Sequence, residues 1–212
     1  MPSQNPTSKQ PFPLRIVCFG DSITGARPRE DYCHAYLKYS DLLQLMIEAR
    51  LGMGNAEVLN RGFAGQTSTE ARERLQADIL HEKPQIAVIL IGGNDGSQPE
   101  ISPAQSRENL HAIFAETQSA ATRVLALQYH FLPGEKADTA WHWLTKNNAL
   151  IAEVARELAI STLDMLPVFQ QAATRAPREE LVNLEDGVHL NPGGEMVYAR
   201  AIFSRLLELN WI

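Results

Sequence analysis

The run Gln85–Ile91, QIAVILI, is apolar at every position after the first. A strand with one face in water alternates apolar and polar residues, because successive side chains point to opposite faces. A strand that is apolar throughout is covered on both faces. That is the place of a central strand in a parallel sheet layered by helices. Leu14–Phe19 and Arg123–Gln128 read as further strands, with shorter ones at Glu57–Asn60 and near Ser161–Leu163.

Helical patterns fill the gaps. Ser40 stands before a helix to about Leu51, with Leu42, Leu43, Leu45, Met46 and Ile47 as its apolar positions. Thr67 and Glu70 form a capping box for a helix to about Leu80. Ser102-Pro103 with Gln105 starts a third helix ending near Ala121. Thr145–Leu158 is a fourth, and Asn191-Pro192 opens the last, to about Leu209. The alternation predicts an α/β fold: a three-layer α/β/α sandwich around a five-stranded parallel sheet with right-handed crossovers, flavodoxin-like in the order 2-1-3-4-5.

No internal repeat, low-complexity tract or interdomain linker interrupts the pattern. A single domain over residues 14–212 is therefore expected, after a disordered lead-in over 1–13 (MPSQNPTSKQPFP). That lead-in lacks the apolar core of a secretory signal, and no apolar run approaches the roughly 20 residues of a membrane span. The expectation is a cytoplasmic protein with no membrane partner; the oligomeric state is left open. A net charge of -6 argues against nucleic acid. Cys18 reads as a buried strand residue. Cys33 beside His34 lacks a second ligand pair at zinc spacing, so no metal is expected.

Ligands of such folds bind beyond the carboxyl ends of the strands. There lie Gly20-Asp21-Ser22-Ile23-Thr24 after the first strand, and Asn60 to Thr67, NRGFAGQT, after the second. Gly92-Gly93-Asn94-Asp95 follows the third, and Asp186-Gly187-Val188-His189 precedes the last helix. Each segment alone has a plain reading, since glycine, serine and asparagine serve turns and caps. All four meeting on one rim is better explained by chemistry. A serine hydroxyl becomes a nucleophile when a base takes its proton. His189 is the candidate base, and Asp186, three residues earlier, the group that orients it. Backbone N–H groups of Ser22 and Gly65 and the Asn94 amide are candidate donors to an oxyanion. His34, His81, His111, His130 and His142 lack such surroundings and read as surface or core residues.

With these blocks the chain resembles the SGNH hydrolases, the GDSL esterase/lipase family: GDSIT, NRGFAGQTS, GGND and DGVH occur in the family's order over residues 20–189. The resemblance implies Ser22 as nucleophile, Gly65 and Asn94 as oxyanion donors, and Asp186 and His189 as the rest of the triad. It also implies the same three-layer fold and no metal or cofactor. Ile23 replaces the leucine of the family name, and Leu190 stands where many bacterial members have proline.

Substrate residues are expected in two loops. Arg27, Tyr32 and His34 lie in the segment after the nucleophile, and Trp141 and Trp143 in HFLPGEKADTAWHW. The alternative for these aromatics is plain packing. No long apolar lid for a fatty chain is evident, so the expected activity is hydrolysis of short-chain carboxylic esters, acetyl esters of carbohydrates first among them. The alternatives are a thioesterase or lysophospholipase of the same family and, more distantly, a catalytically silent carbohydrate-binding protein. No Gly-x-Gly-x-x-Gly or P-loop follows a strand to suggest nucleotide binding.

Overall fold

The computed structural model describes residues 13–25, 37–132, 138–185 and 187–212, the side chains of 138–141 excepted. The N-terminal lead-in before residue 13 and Cys33 fall outside these. The strands β1 (Leu14–Gly20), β2 (Ala56–Gly62), β3 (Ile86–Leu90), β4 (Arg123–Gln128) and β5 (Ser161–Asp164) form one sheet in the order β2-β1-β3-β4-β5. Every pairing is parallel. The expected sheet, order included, is the observed one. All of β3 is buried, as an unbroken apolar strand requires. Cys18, inside β1, is fully buried, and burial pushes its thiol up to about 12, which leaves it inert.

The helices are α1 (Tyr39–Leu51), α2 (Ser68–Leu75), α3 (Pro103–Ser119), α4 (Asp138–Glu157), α5 (Met165–Ala172), α6 (Arg178–Leu181) and α7 (Pro192–Glu208). One layer holds α1 and α5 packed on α7; the other holds α2 on α3 and α3 on α4. Among the described residues no helix is long and apolar enough to cross a membrane.

The expected capping box opens α2: Thr67 N–H donates to the Glu70 carboxylate at 2.8 Å, and Thr67 Oγ1 accepts from Glu70 N–H at 3.3 Å. The helix then loosens into a π-helical turn over Gln76–Leu80. Other ends differ from expectation. α1 starts at Tyr39, because the Asp41 carboxylate accepts the Lys38 N–H at 2.8 Å and sets the first turn there. Ser40 lies inside the helix, its Oγ accepting from Asn60 Nδ2 at 2.7 Å. α7 does open at Asn191-Pro192 as expected, with Asn191 O accepting the Glu195 N–H at 3.0 Å, though the Asn191 side chain turns away to donate to the Glu179 and Val182 carbonyls. α5 was not expected, and it carries Pro167 in its first turn. There the missing N–H costs little, and Asp164 caps the start by accepting from Leu166 N–H at 2.9 Å.

The register levels the strand ends: Gly20 lies opposite Gly62 on one side and Leu90 on the other. The segments after β1, β2 and β3 therefore emerge on one rim.

Candidate active site

β1 ends into a turn over residues 21–24, closed by Gly25 N–H donating to Asp21 O at 2.7 Å. Ser22 stands half-buried at its crest, with Oγ 3.0 Å from Nε2 of His189, which arrives 167 residues later in the chain. The loop carrying His189 is pinned by its backbone. His189 O accepts from Asn183 N–H at 2.8 Å, Val182 and Leu190 form an antiparallel bridge, and Gly187 O accepts from Leu132 N–H at 3.1 Å. The single turn of α6 anchors that loop through Asn191, a role its sequence does not announce. A hydroxyl at this distance from an imidazole nitrogen can pass its proton to it. Asp186, Arg27, Tyr32, His34 and the side chain of Trp141 lie outside the described residues.

Gly65 lies at φ +77°, in the left-handed region, with open space where a Cβ would stand. Glycine there serves the backbone conformation, not a close approach. Among the described residues neither the Gly65 nor the Ser22 N–H meets an acceptor. Asn94 Nδ2 donates one hydrogen to Gln66 O at 2.9 Å, which orients the amide and leaves its second hydrogen uncommitted.

Beneath this rim lies a set of braces that the sequence reading missed. Arg74 on α2 donates to the carbonyls of Gly20 (2.9 Å) and Arg61 (2.8 Å), and its Nε donates to the Gln66 side chain. Its guanidinium stands 4.0 Å over the Phe19 ring. The buried Asp95 carboxylate accepts from Ser68 N–H (2.7 Å) and Ser68 Oγ (2.6 Å), joining GGND to the start of α2. Trp143, half-buried, donates Nε1–H to Gly92 O at 2.9 Å and lies so close to Gly96 that a Cβ there would collide with its ring. Trp143 therefore packs on the GGND turn, the plain alternative given for it above. Asp21 accepts from Tyr129 O–H at 2.5 Å, and burial pushes its carboxyl up to about 6. Tyr129 follows β4, a strand end on the same rim; that position was the available signal. His130, next to it, is a core residue, stacked on Phe169 with Nδ1 2.7 Å from the Tyr198 hydroxyl.

A parallel α/β sandwich with a serine–histidine pair on its carboxyl rim fits a hydrolase. The model of the GDSL-like lipase/acylhydrolase family matches residues 18–197, and the chain belongs to that family as a carboxylic ester hydrolase. It is 27% identical over 212 residues to the uncharacterized lipoprotein YqeF of Bacillus subtilis, covering 86% of each chain. With the acetylxylan esterase of Geobacillus stearothermophilus it shares 23% identity over 215 residues, 93% of this chain and 95% of that one. It also matches the Escherichia coli thioesterase 1/protease 1/lysophospholipase L1, 26% over 137 residues, 63% of this chain and 59% of the other. Among solved structures, the Geobacillus acetylxylan esterase Axe2 superposes with a TM-score of 0.77 at 20% identity, covering 92% of this chain and 94% of that one.

Proposed function

We propose that the chain is a serine esterase for short-chain carboxylic esters, acetyl esters of carbohydrates first, using Ser22, His189 and Asp186. The observation that carries this reading is the 3.0 Å approach of Ser22 Oγ to His189 Nε2. Ser22 Oγ attacks the ester carbonyl while His189 takes its proton, and Asp186 orients the imidazole. The oxyanion lies between the N–H groups of Ser22 and Gly65 and the free Asn94 amide hydrogen. His189 returns the proton to the departing alcohol, and water attacks the acyl-enzyme by the same route reversed. Full-length similarity to a protein named acetylxylan esterase supports the acetyl preference. We take residues 14–212 of this chain as a single domain.

Ser22→Ala removes nearly all p-nitrophenyl acetate hydrolysis while the protein stays folded; wild-type turnover by that variant would sink the assignment. The partial match to a thioesterase and lysophospholipase favours a second reading. A panel of acetylated xylo-oligosaccharides, acyl-CoA and lysophospholipid separates the two, and preference for acyl chains of eight or more carbons would select the second.

A further inference from the structure

Asp21 directly precedes the proposed nucleophile, is only 2% exposed, and has no task in the chemistry above. Its two carboxylate oxygens reach different elements. Oδ1 accepts the Ile23 N–H at 3.1 Å and so closes a turn around Ser22. Oδ2 accepts the Tyr129 O–H, and the Tyr129 oxygen accepts the Gly93 N–H at 3.0 Å. One carboxylate thus links the Ser22 backbone, through one hydroxyl, to the GGND turn that presents Asn94. Tyr129 is itself held by Asn148, which accepts its backbone N–H at 2.6 Å and donates to its carbonyl at 2.8 Å. Burying a carboxylate this fully is costly, which makes such a group a candidate for function.

We propose that Asp21 is a positioning residue: its carboxylate fixes the Ser22 turn against the rim and places a negative charge near the His189 imidazole. That charge favours the imidazolium formed as Ser22 gives up its proton. The inference rests on the reading of Ser22 and His189 as nucleophile and base.

The groups around Asp21 set the sign of its pH response. Tyr129 after β4 donates to it, His189 before α7 attracts its charge, and Asp95 after β3 repels it. Arg74 on α2 and Tyr198 on α7 also feel its charge. Burial is the dominant influence and holds the acid at about 6, within the range where an esterase works. Protonating Asp21 removes the charge near the imidazole, so activity on the acid side reports Asp21. Removing the Tyr129 hydroxyl takes away a hydrogen bond that favours the ionised form, so Asp21 then protonates at higher pH.

The test measures kcat and KM for p-nitrophenyl acetate from about pH 5 to 9 in wild type, Asp21→Asn and Tyr129→Phe. Phosphonylation of Ser22 by a fluorophosphonate probe is followed alongside. Asp21→Asn lowers kcat about 10–100-fold at unchanged KM, the scale of loss for a misplaced reacting group. It slows the labelling too. The acidic limb of kcat moves to lower pH in Asp21→Asn and to higher pH in Tyr129→Phe, opposite shifts that a purely structural role would not give. No adduct on wild-type Ser22 overturns the nucleophile assignment and this inference with it. An adduct formed normally by wild type and Asp21→Asn alike, with wild-type kcat and unmoved limbs, overturns this inference alone.

Discussion

Asn94 commits one amide hydrogen to Gln66 O and leaves the other uncommitted, so its truncation removes a donor that is already oriented. Asn94→Ala should lower kcat roughly 10²–10³-fold with little change in KM, the range for losing one oxyanion donor. Steady-state kinetics on p-nitrophenyl acetate decide this; a change confined to KM would make Asn94 a ground-state contact. Asp21 yields a residue-scale prediction of opposite sign for stability. Its carboxyl moves from 3.8 to about 6 on folding, so between those values the folded chain holds a proton that the unfolded chain has lost. Stability from this group therefore falls as pH rises from about 4 to about 6 and stays lost above. A rise of that size corresponds to about 3 kcal/mol. Asp21→Asn should thus raise the unfolding free energy from urea denaturation at pH 8 by about 1–3 kcal/mol after any weakened hydrogen bonds, and with it the urea midpoint, with the gain shrinking at pH 4. A lower midpoint at pH 8 would contradict it. Ser22, Gly65 and Asn94 stood out as candidates because each lies in a short block at a strand end, and His189 because its block directly precedes the last helix. Asp21's role did not stand out, since its partner Tyr129 is 108 residues away and burial leaves no local pattern.

At the scale of elements, α4 extends the sheet's chemistry by bracing the turns that β3 and β4 present. Trp143 and Asn147, one turn apart, donate to the carbonyls of Gly92 and Ile91, and Asn148 holds Tyr129. Trp143→Phe keeps an aromatic ring but loses the bond to Gly92 O. It should cost about 1 kcal/mol of stability and lower kcat, leaving KM for an acetylated xylo-oligosaccharide unchanged. Denaturation with steady-state kinetics measures both; a raised KM at constant kcat would put the ring on the substrate instead. This helix also shows where the sequence stopped being readable. The apolar ladder Leu150, Ile151, Val154 marks only its C-terminal half, and the helix starts at Asp138, seven residues before the expected Thr145. β1, β3 and β4 were readable because inner strands covered on both faces need apolar runs, whereas the edge strands β2 and β5 are more polar, so their bounds were read less fully. α5 and α6 were not readable, being short, crossed or preceded by proline, and held in place by tertiary contacts.

At the scale of the whole molecule, a buried ion pair ties the starts of α1 and α7 across 157 residues of chain, and the two helices pack on each other. Lys38 Nζ, just before α1, lies 2.5 Å from Glu195 Oε1 in the first turn of α7, with the two side chains 8% and 0% exposed. Glu195 Oε2 also accepts the Tyr39 N–H at 2.7 Å. Burial pushes the Glu195 carboxyl up even though Lys38 and the Tyr39 N–H pull it down, so desolvation outweighs the pairing. The pair therefore adds little net stability, but each partner depends heavily on the other. Lys38→Met should cost about 3–5 kcal/mol at pH 8, because it leaves a buried carboxylate without its counter-charge. Adding Glu195→Gln should recover most of that loss, since the amide oxygen still accepts the Tyr39 N–H while no charge remains. The single variant's deficit should also shrink as pH falls: Glu195, its folded-state pKa raised further without Lys38, takes up a proton before the unfolded chain does. Urea denaturation of wild type, Lys38→Met and the double variant at pH 8 and pH 5 tests all three statements. A double variant no more stable than Lys38→Met would mean that the lysine stem's packing, not the charge, joins α1 to α7.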